Sequence, residues 1–312
     1  MPRAAWVYLT QNTRSDASYG VDRVGPLERS LESLYKYSVA RHPYPVLIFH
    51  EGDFRKPDQH YFCSRFPGLE FREIQFDLPD FLAAETITGR WGGKFSLGYR
   101  HMCRFYSYLL YPLLWDEFDF YARLDDDSFL LSPIEYDLFA MMQSEQLDYV
   151  YRVDCQDHIN VSLGFSEVAR GYLLAESIQP GWLWQRNVEQ VKLPKSLRNS
   201  PLTKYEKYLA GEWNRWGYYN NFHATRLSFW HRDDVQAFLR FLDRTGGNYK
   251  YRWNDLITQS AAVQIFGDPS RVRKLVDWDY SHRTTDREGR LRWGGTYCRD
   301  PNKSEHCVNT RG

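Results

Sequence analysis

No run of apolar residues in this chain approaches the eighteen or so that a membrane-spanning helix needs. The longest candidate, Phe105 to Trp115, is short and is broken up by Ser107 and several tyrosines. No signal-peptide pattern precedes the apolar stretch Ala4 to Leu9. The expectation is therefore a chain without a transmembrane segment, either a soluble cytoplasmic protein or one separated from an anchor. Charge of one sign is also missing, since 40 Lys+Arg balance 40 Asp+Glu. That balance argues against a nucleic-acid partner, which calls for a basic excess or stripe. The five cysteines at 63, 103, 155, 298 and 307 contain no CxxC pair, which removes a zinc cage. Cys298 and Cys307 could form a local bridge, and the sequons at Asn160 and Asn302 permit glycosylation in a compartment that the cysteines leave undetermined. Repeats, low-complexity tracts and interdomain linkers are absent as well.

What is present is an ordinary globular composition with one excess. Hydrophobic residues make up 43% of 312 residues and charged ones 26%, enough for a large core. Aromatics reach 17%, with 11 Trp and 23 Tyr. Aromatic faces stack on sugars and bases but also fill cores, so this leans only slightly towards a carbohydrate or nucleotide ligand.

Along the chain, Ala5 to Thr10 reads as a strand, Pro26 opens a helix with Leu27, Leu31 and Leu34 on one face, and Pro45 to His50 reads as a second strand. Strand, helix and strand at this spacing predict a βαβ unit, hence an α/β fold with a mostly parallel, Rossmann-like sheet. Phe71 to Phe76 and Leu147 to Val153 are further strands, and Gly89 to Gly93 a loop. Met102, Phe105, Tyr106, Leu109, Leu110 and Leu113 mark a helix with a core stripe. Asp233-Asp234 and Asn254-Asp255 are expected to cap helices that end at Gly246-Gly247 and Gly267. Residues 179–219, Trp-rich and basic, are expected as an insertion over a cleft in a single domain spanning 1–283, with 284–312 as a polar tail.

The strand Phe118 to Leu124 runs directly into Asp125-Asp126-Asp127. Open α/β sheets bind ligands at the C-terminal edge of their strands. In extended backbone Asp125 and Asp127 point the same way, as two hard oxygen ligands for Mn²⁺ or Mg²⁺ bridging a diphosphate. This is the DxD chemistry of nucleotide-sugar transferases, in which the metal neutralises charge on the leaving diphosphate. Tyr99, Arg100 and Arg104 stand at the start of a helix, where backbone N–H groups and guanidinium forks could hold phosphate, although on the residues alone an ordinary solvated helix face is the preferred reading. His282 could complete a metal site but reads as an ordinary lone histidine, and Asp255 reads as a cap. His223, within an aromatic loop, could act as acid or base.

Five segments carry a resemblance: Tyr99-Arg-His-Met-Cys-Arg-Phe-Tyr-Ser, Tyr121-Ala-Arg-Leu-Asp-Asp-Asp, Asn221-Phe-His, the run from Gly246 to Asp255, and Asp279-Tyr-Ser-His. Together they resemble the fungal-type α-1,2-mannosyltransferases of glycosyltransferase family 15, in the same order, across roughly residues 5 to 283. The resemblance implies a GT-A fold, a GDP-mannose donor, Mn²⁺, a glycan or glycoprotein acceptor, retention of anomeric configuration and a Golgi or secretory lumen. It implies metal binding by Asp125 (a Glu in the family), Asp127 and His282, donor binding by Tyr99, Arg100, Arg104 and Asp126, and an active-site role for Asp255. His223 stands where the family has the Glu of Asn-Phe-Glu, the proposed nucleophile or charge stabiliser, which opens the choice of donor and the stereochemical outcome. Two rivals remain: a non-catalytic sugar or nucleotide-sugar binder, and another Mg²⁺-dependent phosphate enzyme.

Overall fold

The computed structural model describes residues 1–12, 25–82, 96–157, 161–189, 212–282, 296–298 and 308–309. The expected loop at 89–93, the sequons at Asn160 and Asn302, residues 190–211 of the expected insertion, and the side chains of the Cys298–Cys307 bridge lie outside them. Among the described residues no helix is long and apolar enough to cross a membrane.

In chain order the strands are β1 (Ala4–Leu9), β2 (Val46–His50), β3 (Leu69–Glu73), β4 (Phe120–Leu124), β5 (Ser128–Leu130), β6 (Tyr149–Gln156), β7 (Val188–Glu189), β8 (Glu212–Trp213), β9 (Trp216–Arg226), β10 (Val272–Lys274) and β11 (Tyr280–His282). Seven of them form one sheet in the order β10-β6-β9-β4-β1-β2-β3. β1 is parallel to β2 and β4, β2 to β3, and β10 to β6. β9 runs antiparallel to both neighbours, β4 and β6. Two residues in β1 show why it is central: Val7 and Trp6 enter opposite core clusters, one on each face of the sheet. The α/β architecture with a mostly parallel sheet is as expected; the third strand ends at Glu73, earlier than the expected Phe76.

Helices cover both faces. On one, Pro26–Leu34 buries Leu27, Leu31 and Leu34, each worth about 1.5–3 kcal/mol relative to exposure. On the other, the Leu97–Arg104 helix continues as a wider π turn at Phe105–Leu109 and a tight 3₁₀ turn at Tyr111–Leu113. This change of pitch, with Pro112 unable to continue an α-helix, moves the buried stripe. Tyr111 and Leu114 are buried and Leu113 is exposed, contrary to the even stripe expected. Gly246, at φ 69°, ends the Asp233–Thr245 helix in the left-handed conformation that glycine adopts at no steric cost. Asn254 caps the Asp255–Phe266 helix through its side chain, accepting from the Ile257 N–H at 3.0 Å.

The segment 216–226 departs most from expectation. Residues 216–219 were expected to close an insertion and His223 to sit in a loop, yet all belong to the eleven-residue β9. A second, smaller sheet pairs β5 with β11, and β11 with Thr296–Cys298 in the stretch expected as a tail.

Candidate metal and donor site

β4 ends at Leu124 and the chain turns through Asp125, Asp126 and Asp127 before entering β5. The turn is tied by the Asp125 N–H to the Asn221 carbonyl at 3.1 Å and by the Ser128 N–H to the Asp125 carbonyl at 2.9 Å. β5 pairs antiparallel with β11 in a register that sets His282 opposite Ser128. A strand more than 150 residues later in the chain thereby delivers an imidazole to the acidic turn. His282 Nε2 lies 2.9 Å from Asp127 Oδ1 and 3.8 Å from Asp125 Oδ2. One ligand atom from each of the three residues falls within 4.8 Å of the others.

That spacing fits an ion. A six-coordinate cation with donors at about 2.1 Å keeps neighbouring donors about 3 Å apart and opposite ones about 4.2 Å apart. Two carboxylate oxygens and one imidazole nitrogen suit Mn²⁺ better than Mg²⁺, which favours oxygen alone. Burial pushes the Asp125 carboxyl up, with Arg123 and His282 opposing. Burial pushes Asp127 the same way, but the hydrogen bond and charge of His282 outweigh it and hold Asp127 below the usual range. His282 is raised because the two carboxylates outweigh its desolvation. Asp126 is pushed up to about 7 by burial and by the charge of Asp127. It receives a hydrogen bond from Thr10 Oγ1, just beyond β1.

Arg123 was not singled out from the sequence, although it joins the two halves of the site. Only 3% exposed, its guanidinium donates from Nε to Asp125 Oδ1 at 2.7 Å and from Nη1 to Asp255 Oδ2. It also lies over the Tyr106 ring, 3.4 Å from the centroid, an added cation–π attraction. Asp255 accepts a second hydrogen bond from Asn220 Nδ2 at 2.8 Å, and Asn220 in turn donates to Gln259 Oε1 at 2.9 Å. Strand periodicity carried the signal, since Tyr121, Arg123 and Asp125 alternate on one side of β4 and an arginine inside a buried strand requires a carboxylate. Tyr99 is half-buried, within electrostatic reach of Asp255, its ring 4.9 Å from the Arg252 guanidinium.

Three expected site residues have other partners in the structure. His223 is 0% exposed. Its Nε2 pairs with the Tyr121 hydroxyl at 3.1 Å, its Nδ1 with the Asn220 carbonyl at 3.1 Å, and its ring stacks on Tyr149. Burial, reinforced by the charge of Arg123, pushes its pKa down to about 3. A neutral ring enclosed this way cannot face a substrate as acid or base. Arg104 is committed to Asp243 by two bonds of 2.8 and 2.9 Å. Arg100 is buried and donates to the Tyr249 carbonyl. The helix start is also occupied: Ser96 Oγ takes the Tyr99 N–H at 3.2 Å. These bonds fasten the Leu97–Arg104 helix to the segment around Tyr249.

The chain is similar to known proteins in sequence and in fold. A family model described as glycolipid 2-alpha-mannosyltransferase matches residues 92–290, a span that contains every residue of the site except Thr10. The alpha-1,2 mannosyltransferase KTR1 of Saccharomyces cerevisiae is 26% identical over 190 residues, covering 60% of this chain and 44% of that protein. The O-glycoside alpha-1,2-mannosyltransferase omh1 of Schizosaccharomyces pombe is 22% identical over 295 residues, 89% of this chain and 68% of that protein. The chain thus spans less than half the length of the first of these relatives. Among solved structures, the mannosyltransferase Ktr4p from S. cerevisiae superposes with a TM-score of 0.75 at 19% identity, covering 100% of this chain and 76% of that one. Core-mannan synthase A from Aspergillus fumigatus, solved in a Mn/GDP form, gives 0.72 at 18% identity, covering 100% and 80%. At these identities the structures show the shared fold.

Proposed function

The chain belongs to the glycolipid 2-α-mannosyltransferase family, and from that premise we propose that it transfers mannose from GDP-mannose to a hydroxyl of a glycan acceptor. The observation that carries this reading is the meeting of Asp125, Asp127 and His282 at the C-terminal edge of β4. These three would hold Mn²⁺, which when bound supplies positive charge against the diphosphate that leaves with the nucleotide. That the solved relative from A. fumigatus is a Mn/GDP form supports both the ion and the nucleotide.

The chain's own groups divide the remaining work. Asp126, with a carboxyl near neutrality and Thr10 beside it, can accept from or donate to donor hydroxyls. Asp255, held by Arg123 and Asn220, is the carboxylate left to face the positive charge that develops on the sugar, because His223 is enclosed. Arg123 fixes the separation between the metal-side and sugar-side carboxylates. A secretory lumen suits a glycan acceptor.

In the test, purified protein is incubated with GDP-mannose, Mn²⁺ and a mannoside acceptor. Asp125→Ala combined with Asp127→Ala should abolish GDP release and glycan extension while thermal unfolding stays cooperative. Full activity in that variant would sink the metal-site reading. The enclosed His223, standing where the family has a Glu, favours one alternative: a nucleotide-sugar binder without turnover. Mn²⁺-dependent GDP binding with no transfer to any acceptor would support it.

A further inference from the structure

We propose that Tyr219 is a positioning residue for the metal centre, holding His282 in the tautomer and orientation that the ion requires. This rests on the metal site proposed above.

β9 carries Tyr219 one residue before Asn220, which bonds Asp255, and two before Asn221, whose carbonyl receives the Asp125 N–H. The Tyr219 hydroxyl lies 3.3 Å from His282 Nδ1, and the two rings meet edge-on with centroids 5.7 Å apart. His282 is thus engaged from both ends: Nε2 faces Asp127 and Asp125, and Nδ1 faces Tyr219.

An imidazole binds a metal through a nitrogen lone pair, so the nitrogen turned to the ion carries no proton. The neutral ring then keeps its single proton on the other nitrogen, which needs an acceptor. When an ion takes the Nε2 lone pair, the proton belongs on Nδ1, where the Tyr219 oxygen at 3.3 Å is placed to accept it. Without that oxygen the tautomer with the proton on Nε2 competes, donating directly to Asp127 and closing the site to a cation. The edge-on contact also limits rotation of the imidazole. Partners of this kind set ligand basicity and orientation, and losing one typically costs about 10–100-fold in metal affinity. Tyr219 touches neither donor nor acceptor in this role, so its effect should appear in ion binding before any turnover is measured.

The experiment is a Mn²⁺ titration of the whole chain without nucleotide, following the electron paramagnetic resonance signal of free Mn²⁺. It compares wild type, Tyr219→Phe and the Asp125→Ala, Asp127→Ala double variant. Tyr219→Phe keeps the ring and removes one oxygen, so thermal unfolding should be close to wild type while Mn²⁺ affinity falls about 10–100-fold. Tyr219→Gln, whose amide oxygen can accept from Nδ1–H, should recover part of the loss. Wild-type affinity in Tyr219→Phe would overturn this inference alone. Absence of Mn²⁺ binding in the wild type, or equal binding in the double aspartate variant, would overturn the metal-site reading and this inference with it.

Discussion

His223 and His282 are the same side chain in two opposite settings. The first sits in the middle of the large sheet, on the strand between β4 and β6, and is 0% exposed. The second ends β11 in the small sheet, with 22% of its side chain exposed and two carboxylates before it. In the sheet centre both ring nitrogens meet neutral partners, a tyrosine hydroxyl and a backbone carbonyl, and desolvation keeps the ring uncharged. At the edge, negative charge outweighs desolvation and the pKa rises. A histidine's chemistry therefore follows from which polar groups remain open to it, a property of strand position and not of residue type. The enclosed one holds the sheet together, while the edge one is available to a ligand.

The sharpest way to break this comparison is to remove the residue that links the two settings. Arg123→Met leaves Asp255 buried without its counter-charge, and should lower unfolding free energy by about 3–5 kcal/mol in urea titrations. A change below about 1 kcal/mol would mean the arginine is not the bridge between the two carboxylates. Between pH 7 and 5, His223 gives a smaller effect of definite sign. Its folded pKa, about 3, lies below the unfolded value of about 6.5, so as pH falls the unfolded chain takes up the proton first. Its contribution is intact above about pH 6.5 and is lost towards pH 3, at about 1.4 kcal/mol per pH unit. Urea midpoints at pH 7, 6 and 5 should show this slope, and His223→Phe should remove it; the same slope in both proteins would contradict the enclosed, neutral ring. Smallest is Asp243→Asn, which frees Arg104 from its paired carboxylate at a cost of about 1 kcal/mol. GDP affinity should not change, and a shift in it would return Arg104 to the donor site.

Much of the frame was legible in the sequence. The βαβ start, the turn of acids after β4 and the Asn254 cap all follow local rules of periodicity and capping, and their partners lie close along the chain. The β9 strand was not legible, because most of Trp216 to Arg226 is buried between two strands and shows no alternation of polar and apolar residues, and Asn220-Asn221 suggests a loop. With the strand went the placing of His223, Asn220 and Tyr219. Arg123 was hidden for a different reason: its partner Asp255 lies 132 residues away in the chain, and only the folded sheet brings the two together. The site of His282 was legible from family resemblance, while its physical cause, the register of β5 against β11, is again long-range.

The most direct test of a metal and nucleotide site at Asp125, Asp127 and His282 is calorimetric binding of GDP with Mn²⁺ and with chelator, in the wild type and in His282→Ala. GDP should bind with Mn²⁺, lose that binding on chelation, and bind at least about tenfold more weakly in His282→Ala. Equal GDP affinity with and without chelator, unchanged by His282→Ala, would contradict a metal centre at the end of β4.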